Sequence, residues 1–256
     1  MPAMIWGWLG ALGIGLVLGT LGSGGSILTV PVLVYLFDQP EKAAIAGSLA
    51  VVGSISFVGA IPYARRGLVA WRLVGLFGIP GMIAAFGGAW AGHYLPGAVQ
   101  LLLFAIVVLL AAALMLRPRR SDGGESARQP LWSVPLDGLG VGFMTGLVGV
   151  GGGFLIIPAL VLLLGLPMRR AVGTSLCIIV LNTAAGFYKY LGVLEAHSLT
   201  LDWSILAPIA AIGIAGSLIG NVVGGRIPQA KLKRVFAMFL LVMGAYIVAR
   251  TAPAVF

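Results

Sequence analysis

The chain has 256 residues, of which 60% are hydrophobic and 9% charged, with a formal net charge of +9. That composition leaves too little polar surface for a water-soluble protein and puts the chain in a bilayer. The 16 Lys and Arg against 7 Asp and Glu are gathered between apolar spans, which reads as membrane topology rather than nucleic-acid binding.

In chain order the apolar segments run Ile5–Gly22, Ser26–Phe37, Ala43–Tyr63, Trp71–Gly92 and Ala98–Leu116, then Leu136–Gly149, Gly153–Leu166, Ala171–Tyr190, Trp203–Val223 and Lys233–Val248. The first has no basic stretch ahead of it and no small-residue cleavage site behind it, so it is expected to be retained. At 1.5 Å per residue the full spans reach roughly 30 Å, whereas the pieces around the glycine clusters reach only ~18 to 21 Å. The expected class is all-α: a polytopic integral membrane protein of two inverted-topology repeats, each a glycine-broken hairpin plus three transmembrane helices.

The duplication is carried by GLVLGTLGSGGSILTVPVLVYL from Gly15 and GFMTGLVGVGGGFLIIPALVLL from Gly142. Aligned without gaps, Gly15–Leu49 and Gly142–Leu176 agree at 14 of 35 positions, among them Gly22/Gly149, Gly24/Gly151, Gly25/Gly152, Pro31/Pro158 and Ser48/Ser175. Paired glycine-interrupted segments in two halves point to the binding site of a secondary transporter. Residues 1–118 form the first repeat, 119–130 a flexible linker and 131–256 the second repeat.

Basic residues set the orientation. Arg65, Arg66, Arg72, Arg117, Arg119, Arg120, Arg128, Arg169, Arg170, Arg226, Lys231, Lys233 and Arg234 share one side of this arrangement, leaving Lys42, Lys189 and Arg250 opposite. The rich side is cytoplasmic. The assignment closes only if each broken pair is a hairpin returning to its starting face. A hairpin plus three crossings inverts the second half, so both termini are expected outside the cell and the linker inside.

Two hairpins entering from opposite faces are expected to bring their tips, Gly22–Ser26 and Gly149–Gly153, together near the midplane. Non-helical backbone is tolerated there only if buried in protein or lining a cavity. Each following helix would present free N–H groups and a partial positive charge to that cavity, and glycine lets an anion approach closely. The expected substrate-binding residues are Gly22, Ser23, Gly24, Gly25, Ser26, Ser48, Gly149, Gly151, Gly152, Gly153, Thr174, Ser175 and Asn182. The hydroxyls and the amide can donate to an anion without adding charge. Two roles stay open for Ser48 and Ser175, lining that path or hydrogen-bonding between helices.

Gly15, Gly19, Gly142 and Gly146 read as close-packing glycines, and Ala at Gly15 is expected to be milder than Leu at a tip. Tyr63, Tyr190, Trp71 and Trp203 read as aromatic-belt anchors. Lys189 reads as a snorkelling residue, and Cys177 as a small hydrophobe that has no partner for an internal disulfide. His93 and His197 are isolated from other ligand types, so neither a metal site nor a cofactor is expected. No Asp or Glu falls well inside a span, which removes the usual carboxylate proton relay.

The pattern G-x-x-x-G-x-x-G-x-G-G-x-x-x-x-x-P, at Gly15–Pro31 and Gly142–Pro158, with the G-T-S-L stretch Gly173–Leu176, resembles the sulfite exporter TauE/SafE family over essentially the whole chain. The first copy departs from the second in carrying Ser23 and Ser26 where the second has Val150 and Gly153. The resemblance implies a permease of a bacterial or archaeal cytoplasmic membrane. Its implied substrate is a small sulfur-containing anion such as sulfite, thiosulfate, sulfoacetate or a related organosulfonate. Export is the expected direction, since an interior-negative potential drives an anion outward. An anion channel and an uptake permease are the alternatives. A homodimer is possible, the lipid bilayer is the surrounding partner, and no nucleic acid and no enzymatic activity are expected.

Overall fold

The structure is a computed structural model that describes residues 2–23, 25–92, 97–116, 133–148, 153–196 and 198–255. The described residues are almost entirely helical: α1 (Pro2–Leu21), α2 (Gly25–Leu36), α3 (Glu41–Arg65), α4 (Trp71–Leu73), a π-helical turn (Val74–Gly78), α5 (Ile79–Gly92), α6 (Gly97–Leu116), α7 (Ser133–Val148), α8 (Gly153–Leu162), α9 (Met168–Ala196), α10 (Trp203–Arg226) and α11 (Gln229–Val255). The linker 119–130 lies outside the described residues.

Among the described residues, four stretches are long and apolar enough to cross a membrane: Ala43–Arg65, Trp71–Gly88, Met168–Gly192 and Trp203–Arg226. Large apolar side chains also face outward, with Val242 68%, Ile83 62% and Leu110 59% exposed. Only a hydrocarbon solvent makes that surface favourable, so the chain is an all-α polytopic membrane protein. The helix ends differ most from the periodicity in three places: α8 stops at Leu162 rather than Leu166, α11 runs Gln229–Val255 rather than Lys233–Val248, and α9 is extended at its end. α9 continues six residues past Tyr190 to Ala196, because KYLGVLEA contains neither proline nor a stop signal despite its polarity.

The first broken pair is a hairpin. A Cβ on Gly7 would meet the Phe37 ring, one on Gly10 would lie 3.3 Å from Val32, and one on Gly25 would strike the Ile14 carbonyl. Rising numbers in α1 therefore meet falling numbers in α2. Trp8 and Phe37 close the open end edge-to-face, 5.3 Å between centroids.

The remaining packing exchanges elements between the halves. α3 and α9 run antiparallel, since Gly186 faces Leu49, Gly53 faces Thr183, Gly59 faces Leu176 and Gly173 faces Tyr63. Under the sequence alignment Leu49 is equivalent to Leu176 and Gly59 to Gly186, so one contact maps onto the other. α1 and α10 run parallel, with Gly15 on the Gly213 carbonyl, Gly19 on the Ser217 carbonyl and Gly224 on Thr20. The matching pair is α7 on α5, where Gly142 abuts the Gly81 carbonyl. Gly15 and Gly142, each set directly on a main-chain carbonyl of another helix, thus occupy equivalent positions of the two halves.

Candidate functional site

The tip of the first hairpin is built from its backbone upward. Gly22 ends α1 with φ +79°, the left-handed region in which a β-carbon is strained. Its N–H donates to the Leu18 carbonyl at 2.7 Å. Three residues on, α2 begins, with no acid in its first turn. The Ser26 hydroxyl donates to the Ser23 carbonyl at 2.8 Å, and Thr29 Oγ1 donates back to the Gly25 carbonyl at 2.9 Å.

Ser23 is the exception. It is fully buried, and its hydroxyl has no hydrogen-bond partner among the described residues. A buried hydroxyl left unpaired costs about 1–3 kcal/mol. Here it stands at the N-terminal end of a helix, where the partial positive charge favours an anion.

The other expected residues have different surroundings. Ser175 is fully buried and donates to the Val172 carbonyl at 2.8 Å and toward the Gly22 carbonyl at 3.2 Å. Its one proton is therefore shared between a carbonyl of its own helix and one at the tip. Thr174 Oγ1 accepts the Ala70 N–H at 3.0 Å, holding the loop between α3 and α4. Ser48 donates to the Ile45 carbonyl within its own helix. Asn182 is half-buried with Oδ1 unpartnered, and lies seven residues beyond Ser175, about 10 Å along the α9 axis. Gly24, Gly149, Gly151 and Gly152 lie outside the described residues, as do His93 and His197, and Gly153 starts α8.

The structure thus brings Gly22, Ser23 and Ser175 together and leaves Asn182 at the crossing of α3 and α9. A midplane position for the first tip is not what the packing gives. Gly22 rests on Val172, near the arginine-bearing start of α9, because α1 is long enough to run past the Gly53–Thr183 crossing. Tyr63 is likewise not a belt anchor. It is 5% exposed and its hydroxyl donates to the Gly19 carbonyl at 3.0 Å, closing the end of α1 against α3. Trp71 and Trp203 are exposed as belt residues are, and Lys189 places its Nζ 5.2 Å from the Phe86 ring centroid.

Sequence reasoning misses two features. Asp137 sits in the second turn of α7 with Oδ2 buried and unpartnered, next to Gly138 on the Phe77 carbonyl of the π-helical turn. Asn221 is buried in α10; the high cost of burying an amide, which singles out Asn182, applies to it equally. Among the described residues no group of three or more His, Cys, Asp or Glu could hold a metal ion.

Apolar outward faces, a helical hairpin with an unpaired polar tip, and symmetric exchange of helices between halves define a multi-pass membrane transporter. The family model of the sulfite exporter TauE/SafE matches residues 8–247, and the chain belongs to that family. A Xylella fastidiosa protein named "Probable membrane transporter protein" is 32% identical over 93% of this chain and 92% of its own length. A similarly named Methanocaldococcus jannaschii protein is 29% identical, covering 91% and 92%, and one from Haemophilus influenzae 28%, covering 92% and 94%. No solved structure matches.

Proposed function

We propose that this transporter is a permease exporting a small sulfur-containing anion, such as sulfite, thiosulfate, sulfoacetate or a related organosulfonate, across a bacterial or archaeal cytoplasmic membrane. The observation that carries the reading is the Ser23 hydroxyl, buried and unpaired at the start of α2. It is a donor waiting at a positive helix end in a segment free of acids. The family description supports the substrate class, and the sign of the membrane potential supports the direction, since each negative charge leaving gains about 2.3 kcal/mol per 100 mV. No enzymatic step is required.

The proposed architecture is two inverted-topology repeats, residues 1–118 and 131–256, joined by a cytoplasmic linker, with both termini outside. The antiparallel α3–α9 crossing and the equivalent α1–α10 and α5–α7 pairs support it. Rocking of the repeats, or rearrangement of the hairpins, then alternates access. The test is binding to purified protein, read as a thermal shift against sulfite, thiosulfate, sulfate, sulfoacetate and taurine. Stabilisation by one or more of the sulfur anions is expected; a flat response to all five overturns the reading.

A further inference from the structure

We infer that the arginine-bearing end of α3, α9 and α10 is an oxyanion docking site, built from Arg66, Arg169 and Asn221 beside the first glycine tip. Arg66 Nη1 donates to Asn221 Oδ1 at 3.2 Å. A guanidinium can only donate, so this contact fixes the orientation of the amide and turns its NH2 away from Arg66. Asn221 is 2% exposed and its Nδ2 has no partner among the described residues. One turn along α10, Arg169 Nη2 donates to the carbonyls of Gly225 and Ile227 at 2.6 and 3.2 Å, while its Nε is buried and unpartnered. A Cβ on Gly225 would lie 3.9 Å from Arg66 Nη1, so both guanidiniums reach the same turn of α10.

The two orphaned groups are both donors, attached to or fixed by two cations. Among the described residues no carboxylate pairs with either arginine. The charge is also placed against the local field. Arg169 and Arg170 occupy the first turn of α9, which contains no acid; cations at a helix N-terminus are unfavourable unless an anion offsets them. An oxyanion supplies the acceptor oxygens that these donors lack, and Arg is suited to it by its fork of donors. Gly22 packs on Val172, one turn after Arg169, so an anion held here stands next to the tip with the free Ser23 hydroxyl. The site would gather the exported anion on the face where basic residues concentrate. That role rests on the transport reading; the binding chemistry does not.

The same chemistry could serve a phospholipid headgroup, and the experiment separates the two. Sulfite binding is measured on the full chain in phosphatidylcholine nanodiscs and in phosphatidylglycerol nanodiscs, for wild type and for Asn221→Asp, Arg169→Lys and Gly13→Ala, the last at a position where a β-carbon meets nothing within 4 Å. Asn221→Asp keeps the oxygen that faces Arg66 and replaces the orphaned donor with an acceptor, so it retains size and fold. The expected results are a tenfold or greater loss of affinity in Asn221→Asp, a smaller loss in Arg169→Lys, and little change in Gly13→Ala, each with a melting temperature near wild type. Equal affinity in wild type and Asn221→Asp overturns the docking site and leaves the permease reading standing. Sulfite binding that is seen in phosphatidylcholine but abolished in phosphatidylglycerol assigns the site to lipid phosphate and overturns the docking role. Wild type that binds sulfite through Asn221 yet carries no flux supports the site and sinks the transport reading alone.

Discussion

The seam between α1 and α10 and the tip at the end of α1 are made of the same residue, used in opposite ways. Along the seam, Gly15, Gly19, Gly216 and Gly220 let two backbones touch, and every one of them would collide with a main-chain atom if given a side chain. At the tip, Gly22 is needed for its left-handed φ of +79°, and the residue after it leaves a buried hydroxyl unpaired. In a bilayer there is little hydrophobic drive to hold helices together, so close contact through small residues supplies it. The seam is a fixed joint. The tip holds polar capacity that the protein itself does not use.

That contrast can be broken most severely at the seam. Gly15→Ala puts a methyl group onto the Gly213 carbonyl, a main-chain atom that cannot swing aside, and overpacking of this kind costs typically 1–3 kcal/mol. A large drop in thermal stability in detergent is expected, and Gly142→Ala, against the Gly81 carbonyl, should match it. Gly13→Ala, which meets nothing within 4 Å, should leave stability unchanged or raise it by up to ~1 kcal/mol. Equal melting temperatures for all three variants would contradict the seam. Spacing alone ranks Ala at Gly15 as milder than Leu at a tip; the backbone contact makes it costly in its own right.

A smaller effect is expected where the seam meets the tip. Tyr63→Phe removes the hydroxyl that donates to the Gly19 carbonyl, a loss on the order of 1 to 2 kcal/mol because a buried acceptor is also left bare. The change should appear in the melting temperature. A Phe variant as stable as wild type would mean that the hydroxyl contributes nothing at this joint.

Ser23→Ala separates the two uses of the tip. Since the hydroxyl has no partner among the described residues, its removal should leave stability unchanged or slightly higher, while anion affinity falls by roughly tenfold, the scale of one hydrogen bond to a charged ligand. A variant that loses stability and keeps affinity would make Ser23 a packing residue.

The break in the first half, its hairpin form, and the close-packing role of Gly15 and Gly19 are legible in the amino-acid sequence, because consecutive glycines and a G-x-x-x-G spacing have few other uses in an apolar run. The partner of that packing is not legible. Gly15 meets Gly213 across nearly the whole chain, and nothing in local periodicity tells which distant helix will arrive. Tyr63 misleads for a related reason: an aromatic residue at a span end looks like an interface anchor until α1 is seen to cover it. Thr174 and Ser175 stand out as polar groups in a span, yet Thr174 accepts the Ala70 amide and Ser175 reaches the Gly22 carbonyl as well as the Val172 carbonyl of its own helix; only the fold brings Ala70 and Gly22 near. Asn221 shares with Asn182 the property of an amide inside an apolar span, and most of the chain separates it from Arg66.

The most direct test of the central claim is sulfite efflux from proteoliposomes under an imposed potential. With the interior made negative, efflux should accelerate, saturate with internal sulfite and need no pH gradient, because the field alone drives an anion outward through a binding site. Efflux that ignores voltage and strictly requires a pH gradient, or a current that never saturates, would contradict a potential-driven exporter, the first pointing to proton-coupled carriage and the second to a channel.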